Sequence, residues 1–257
     1  MRHLPIVGAL ILATVAGLNA AAPAPLPTAQ EVVSQMQQRD AQRRALLSGY
    51  HGLRRYVLEN YRMHKRAEML ASVDTDAQGV KHFSVVEQQG WQAAHRHVFC
   101  KMLDSEAEAS TPQIRLKTQL SAENYDFHLD GIETVAGRPA YAISVKPKRH
   151  EERLFEGKIW VDAQDYALAR AEGRPAKNPS FWVRSIHFDH TYQKSGEFWY
   201  PVSTQSVSEA RVFGTTKVTI NYFDYTPNFA HGNETANAAT DRPPASGGSG
   251  ERKQWPR

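Results

Sequence analysis

The chain has 257 residues, with 31 basic against 27 acidic side chains and a formal charge of +4 at pH 7. That excess is small, and the basic runs RDAQRR and KPKRHEER are interleaved with acids, so no stripe of cations fit for nucleic acid is present. A single cysteine, Cys100, excludes an internal disulfide and reads as a small buried apolar residue, so the core must hold without staples.

The chain opens on Met1-Arg2-His3, an apolar run from Leu4 to Leu18, and the small residues Asn19 to Ala22. This is the pattern of a cleaved secretory leader, over residues 1–21, and the run is too short to span a bilayer. Removal of Arg2 with it leaves a charge near +3. No cysteine stands at the junction to carry an acyl anchor, and no transmembrane segment is expected in the mature chain. Residues 22–27 form a proline-rich linker, after which Thr28-Ala29-Gln30-Glu31 matches a capping box. The helix it starts is expected to run to Gly49, with Val32, Val33, Met36 and Leu47 on one side and Arg39, Asp40, Arg43 and Arg44 largely toward water.

From Tyr56 the period changes. In VLENYRMHKRAEMLASV the apolar residues fall on odd positions, from Val57 through Tyr61, Met63 and Met69 to Val73, which reads as one strand with a buried face. DTDAQG is a turn and VKHFSVVEQQ the returning strand. Residues 91–120 space Trp91, Val98, Phe99, Met102 and Leu103 at helical intervals, which predicts a helical insertion lying over the sheet. Strands then resume in pairs: around the turn at Gly137, around the turn that carries Asp162 and Asp165, around Lys194 to Gly196, and finally in TTKVTINYFDY. Residues 227–257 are rich in Pro, Gly, Ser and Asn and read as a disordered tail, which leaves 28–226 as the folded domain. The expected fold is mainly β (α+β). A curled antiparallel sheet forms an open half barrel, covered by the N-terminal helix and the helical insertion.

The motifs of catalysis are missing. RHEERL begins like a zinc-protease helix but has Leu154 where the second histidine is required. On a helix His95 and His97 diverge, and on a strand His187 and His190 point to opposite faces. Asp162 and Asp165 belong to a hairpin turn, where aspartate caps local backbone donors and no cleft separates a carboxylate pair. No cofactor, metal or catalytic residue is expected. The excess lies in apolar and aromatic strand positions. Alternation places Tyr61, Met63, Met69, Tyr141, Ile143, Phe155, Ile159, Trp182, Ile186, Phe188, Tyr192, Val218, Ile220 and Tyr222 on the inner wall, as either a filled core or a ligand cavity.

The stretches GRPAYAISVKPK, GKIWVDAQDYALARAEG, PSFWVRSIHFDHTYQKSGEFWYP and TINYFDY resemble the LolA-like and LolB-like periplasmic lipoprotein carriers, in particular outer-membrane lipoprotein-sorting proteins. What the resemblance implies is an unclosed barrel around an apolar cavity in a soluble periplasmic protein that holds acyl chains of a lipid or lipidated protein. An inner-membrane export complex and an outer-membrane acceptor are its implied partners. The superfamily also includes RseB-like sensors, so a regulatory or scaffold module that binds an envelope protein is the alternative. A hydrolase whose residues converge only in space is a third reading.

Overall fold

The computed structural model describes residues 26–230; the segment read as a leader, and all but the first four residues of the segment read as a tail, lie outside the described residues. Helix α1 spans Ala29–Ala45 and opens on a complete capping box, in which the Thr28 hydroxyl accepts the Glu31 N–H and the Glu31 carboxylate accepts the Thr28 N–H at 2.7 Å. Its first half buries Ala29, Val32, Val33 and Met36, and there its buried stripe ends. The helix stops at Leu46 rather than at Gly49, because Leu47 already pairs with Phe229 as the first residue of β1 (Leu47–Asn60). Gly49 is instead a strand residue at φ +141°, where a Cβ would lie 1.9 Å from the Thr75 carbonyl oxygen.

The segment read as one strand from Tyr56 to Val73 is two. Strand β1 buries the even positions Arg54, Tyr56, Leu58 and Asn60, and β2 (Lys65–Thr75) buries the odd positions Ala67, Met69, Ala71 and Val73. A tight turn, Tyr61 to His64, lies between them and carries Tyr61 and Met63 out into solvent, so neither belongs to the inner wall. Strand β3 (Lys81–Gly90) completes the first meander. The second runs β4 (Tyr125–Val135), β5 (Arg138–Pro147), β6 (Phe155–Asp162), β7 (Leu168–Pro175), β8 (Val183–Ser195), β9 (Phe198–Ala210) and β10 (Gly214–Phe229). Trp182 therefore precedes β8 and is exposed, and β10 continues three residues into the segment read as tail.

All neighbours pair antiparallel in the order β3-β2-β1-β10-β9-β8-β7-β6-β5-β4, with β3 and β4 as the two edges of one unclosed ten-stranded sheet. The order explains the helical insertion. The chain leaves β3 at one edge and must enter β4 at the other, so it crosses the open side of the sheet as α2 (Gln92–Ala94), a π-helical turn (His95–Phe99), α3 (Cys100–Ser110) and α4 (Pro112–Thr118). Cys100 lies exposed on this crossing rather than in a core. None of the helices among the described residues is long and apolar enough to cross a membrane.

Two helix-covered cores result, beside a small cluster of Ala140, Ala142 and Trp160 on β5 and β6. Helix α1 packs on β4–β7 through Val32, Val33 and Met36 against Tyr125, Ile143, Val145, Ile159 and Val161. The crossing packs on β1, β2 and β10 through Ala94, Phe99 and Leu103 against Tyr56, Leu58, Met69, Val218 and Ile220. Each Val, Leu, Ile, Phe or Met side chain among them, withdrawn fully from water, contributes about 1.5–3 kcal/mol before entropy is counted. Strands β8 and β9 run between the two cores and are only partly covered by either.

Candidate functional site: a cavity between two cores

The gap between the cores is a cavity of about 620 Å³. Its roof is the second half of α1, where Gln37, Asp40, Ala41, Arg43 and Arg44 follow the end of the buried stripe. One wall is the β8–β9 hairpin, with Tyr192, Phe198, Trp199, Tyr200 and Pro201, and the floor is Leu47 and Tyr50 of β1 with Ala167 and Leu168 beside β7. Arg115 of α4, with Gln119 and Leu120 just after it, closes the side. Apolar and aromatic side chains thus form the interior, and charge is confined to α1 and α4.

The aromatic wall is held by its own contacts. Tyr200 stacks on Tyr225 at 4.5 Å between ring centroids, and the Tyr225 hydroxyl donates to the Pro201 carbonyl at 3.2 Å. Burial pushes the Tyr200 phenol up to about 12 and raises those of Tyr192 and Tyr225 further, so all three stay neutral. The charged rim has three arginines against Asp40. Arg44 pairs with Asp40 at 3.0 Å, whereas Arg43 donates to the Asp165 carbonyl at 2.5 Å and Arg115 to the Gln78 carbonyl at 3.0 Å. Carbonyls satisfy hydrogen bonds without cancelling charge, so the rim stays cationic.

The aspartate turn braces this rim. Asp162 is fully buried and accepts Arg138 Nε at 2.6 Å and Nη2 at 2.9 Å, the Asp165 N–H at 2.7 Å and the Gln164 N–H at 3.0 Å. Burial alone would raise its pKa, but Arg138 and the two backbone donors outweigh that and hold the carboxyl below its usual range. Asp165 in turn accepts Trp199 Nε1 at 3.2 Å and Lys194 at 2.8 Å. The two aspartates thus fix the hairpin that walls the cavity. Replacing Asp162 with alanine should cost about 1–3 kcal/mol of stability, read as a lower urea midpoint. Its contribution is complete above the ordinary aspartate value of 3.8 and is lost as pH falls through the lower folded value, so the deficit of the variant should shrink in acid.

Deeper in, a polar chain joins the cores. Thr204 Oγ1 lies 2.5 Å from His190 Nδ1 and 2.9 Å from the Tyr222 hydroxyl, and the Tyr222 ring lies under the guanidinium of Arg54 at 4.9 Å. Burial pushes His190 down to about 4, so it is neutral at pH 7. A serine-protease-like triad is not assembled around it: Asp189, its neighbour in sequence, faces the other side of the strand and pairs with Arg170. His95 is buried with Nε2 against the Gln89 carbonyl at 2.9 Å while His97 is exposed, and no group of metal-ligating side chains gathers among the described residues.

Of the wall residues expected from alternation, Tyr192 lines the cavity. Ile143 and Ile159 lie beneath α1 with Tyr141, Phe155 and Phe188 at their margin. Met69, Val218 and Ile220 lie beneath the crossing with Tyr222 beside them, and Ile186 is half-buried on β8. The lining residues that sequence reasoning missed are those on α1 and on the β9 start, Leu47 and Tyr50 of β1, Ala167 and Leu168, and Arg115, Gln119 and Leu120. For those on α1 the one signal was the early end of the apolar stripe at Met36, which leaves more than two helical turns with no large apolar residue to bury.

A family model described as a family of unknown function (DUF5686) matches residues 118–229, the end of the crossing and the second meander. No curated protein matches the chain. Among solved structures it is similar to a DUF1329 family protein from Desulfovibrio piger, with 11% identity, a TM-score of 0.43, and 81% of this chain and 95% of that one covered. A second is a LolA superfamily protein from Nitrosomonas europaea, with 11% identity, a TM-score of 0.37 and coverage of 78% and 94%. A third is a domain described as an outer membrane lipoprotein-sorting protein from Vibrio parahaemolyticus, with 11% identity, a TM-score of 0.42 and coverage of 81% and 97%.

Proposed function

We propose that the chain is an exported binding protein of the cell envelope that holds acyl chains of a lipid or lipidated protein in the cavity between the two cores, in the sorting or transport of outer-membrane lipoproteins. The observation that carries this reading is the cavity itself. About 620 Å³ lies within the range of sites that enclose small molecules, and its interior offers apolar contact without a reacting group. An acyl chain gains roughly 0.8 kcal/mol for each methylene withdrawn from water, so such a pocket supplies affinity by length alone. The cationic rim suits a polar, anionic end left at the mouth. The leader-like residues 1–21 support export, and the reading needs no catalysis, cofactor or metal.

Native mass spectrometry of the protein purified from its own envelope tests this. A stoichiometric acylated ligand, or uptake of added lipid by the apo protein, is the expected result. A clean apo mass with no uptake would end the proposal.

The alternative, a regulatory or scaffold module, draws on the edge strand β3, where Val85 and Val86 are exposed and one row of backbone groups is open to a partner's strand. Lipid-free protein that captures one defined envelope partner, and loses it on Val85→Pro, would favour that reading.

A further inference from the structure

Six of the large apolar side chains that the fold leaves in solvent lie together at one end of the sheet. They are Tyr61 and Met63 in the β1–β2 turn, Phe181 and Trp182 ahead of β8, and Val212 and Phe213 in the β9–β10 turn, with Phe181 74% and Trp182 58% exposed. The three loops are tied to one another. The Tyr61 N–H donates to the Thr215 carbonyl at 3.1 Å, and Asn60 Nδ2 donates to the Phe213 carbonyl at 2.9 Å. On the other side the Arg211 N–H donates to the Trp182 carbonyl at 2.9 Å, and its guanidinium lies over the Phe181 ring at 4.6 Å. The result is a shelf of loop tips whose apolar side chains are held outward by backbone hydrogen bonds.

Charge on the shelf is mostly positive. Arg62, Lys65, Arg184 and Arg211 are exposed and have no carboxylate partner among the described residues. Of the acids at this end, Glu59 and Glu68 share Arg66, and Glu209 meets only the Thr215 hydroxyl and keeps its charge, so the cations outnumber the acids and the shelf stays net positive. Outward Trp, Tyr, Phe and Met on loop tips, ringed by an excess of cations, match the interface of an anionic bilayer, where aromatic rings sit at headgroup level and Lys and Arg meet lipid phosphates. We propose that this shelf docks the protein reversibly on an anionic membrane surface. Strand β1 runs from the cavity floor at Leu47 to the shelf at Asn60, a span of roughly 40 Å at 3.3 Å per residue. The docked protein therefore holds its cavity away from that surface, and the proposal stands whether or not the cavity takes lipid.

The test uses the full chain with Cys100→Ser, labelled with an environment-sensitive dye at Val212→Cys or, as a control, at Val86→Cys on β3. The probe is vesicles of phosphatidylglycerol and phosphatidylcholine in equal parts, with vesicles of phosphatidylcholine alone for comparison. The expected result is a blue shift at 212, absent at 86, weakened by salt and lowered about tenfold in vesicle affinity by Phe181→Ser with Trp182→Ser. No shift at 212, an equal shift at both positions, or an equal response to phosphatidylcholine alone overturns the proposal. So does a shift at 212 without vesicles that grows with protein concentration, which would make the shelf a contact between two copies.

Discussion

Replacement of Glu106 by alanine should cost the fold about 3–5 kcal/mol, because it strands a buried cation. Arg54 on β1 is 1% exposed and lies between the rings of Phe83 at 5.0 Å and Tyr222 at 4.9 Å. Its Nη1 donates to one oxygen of Glu106 at 2.7 Å, Lys81 takes the other at 2.7 Å, and Arg54 Nε has no partner among the described residues. Glu106 thus ties α3 to β1 and β3 at once. Burial acts to raise its pKa, but Lys81 and Arg54 outweigh it and hold the carboxyl at about 2. Arg54→Met should cost less, since it removes the desolvated charge and leaves Glu106 paired with Lys81. Urea unfolding at neutral pH checks the order of the two. The sign with pH follows from the lowered pKa: the contribution is complete above the ordinary glutamate value of 4.5 and fades as pH falls toward 2, so the gap between wild type and Glu106→Ala should close in acid. A Glu106→Ala variant within 1 kcal/mol of wild type, below the magnitude expected for a stranded charge, or costing less than Arg54→Met, would refute this account of the link.

Much of this architecture could be read from the sequence, and the failures have physical causes. The capping box at Thr28 and Glu31, the turns at Gly137, Asp162 and Gly196, and the helical spacing after Trp91 all encode local geometry, and each stands where expected. The β1–β2 turn was missed because Tyr61 and Met63 are apolar and continue the alternation of β2, whereas the turn keeps them exposed on the shelf. The start of β1 was missed because Leu46-Leu47 follows the helix without a break, and only the distant partner Phe229 turns that segment into strand. Long-range pairing of this kind leaves no mark within a local window.

The cavity was hidden for a related reason. Alternation tells which side of a strand is buried, but not whether a helix or a void faces it. Ile143 and Ile159 have the pattern expected of a wall and are covered by Val32, Val33 and Met36. The void instead opens under Gln37 to Arg44, residues whose polarity reads as a solvated face. Polar side chains at that position are what keep the gap from filling: a Leu at each would have extended the α1 core over β8 and β9.

That reasoning gives the sharpest test of the cavity, the substitution Ala41→Trp. Ala41 lies on α1 over the void and is itself exposed, so the change removes no core contact and costs the helix only about 0.5 kcal/mol of intrinsic propensity. The indole would enter the space an acyl chain is proposed to occupy, toward Tyr200 and Phe198. If it displaces two to four methylenes, at about 0.8 kcal/mol each, affinity for a fluorescent fatty-acid analogue should fall roughly 15- to 200-fold. The thermal midpoint should stay within a few degrees of wild type, and Val86→Trp, on the edge strand away from the void, should leave uptake unchanged. Filling the void without loss of stability separates a binding site from a packing defect. A loss of uptake together with a large drop in midpoint would point to damage of the α1 core instead, and undiminished uptake by Ala41→Trp would move the ligand elsewhere.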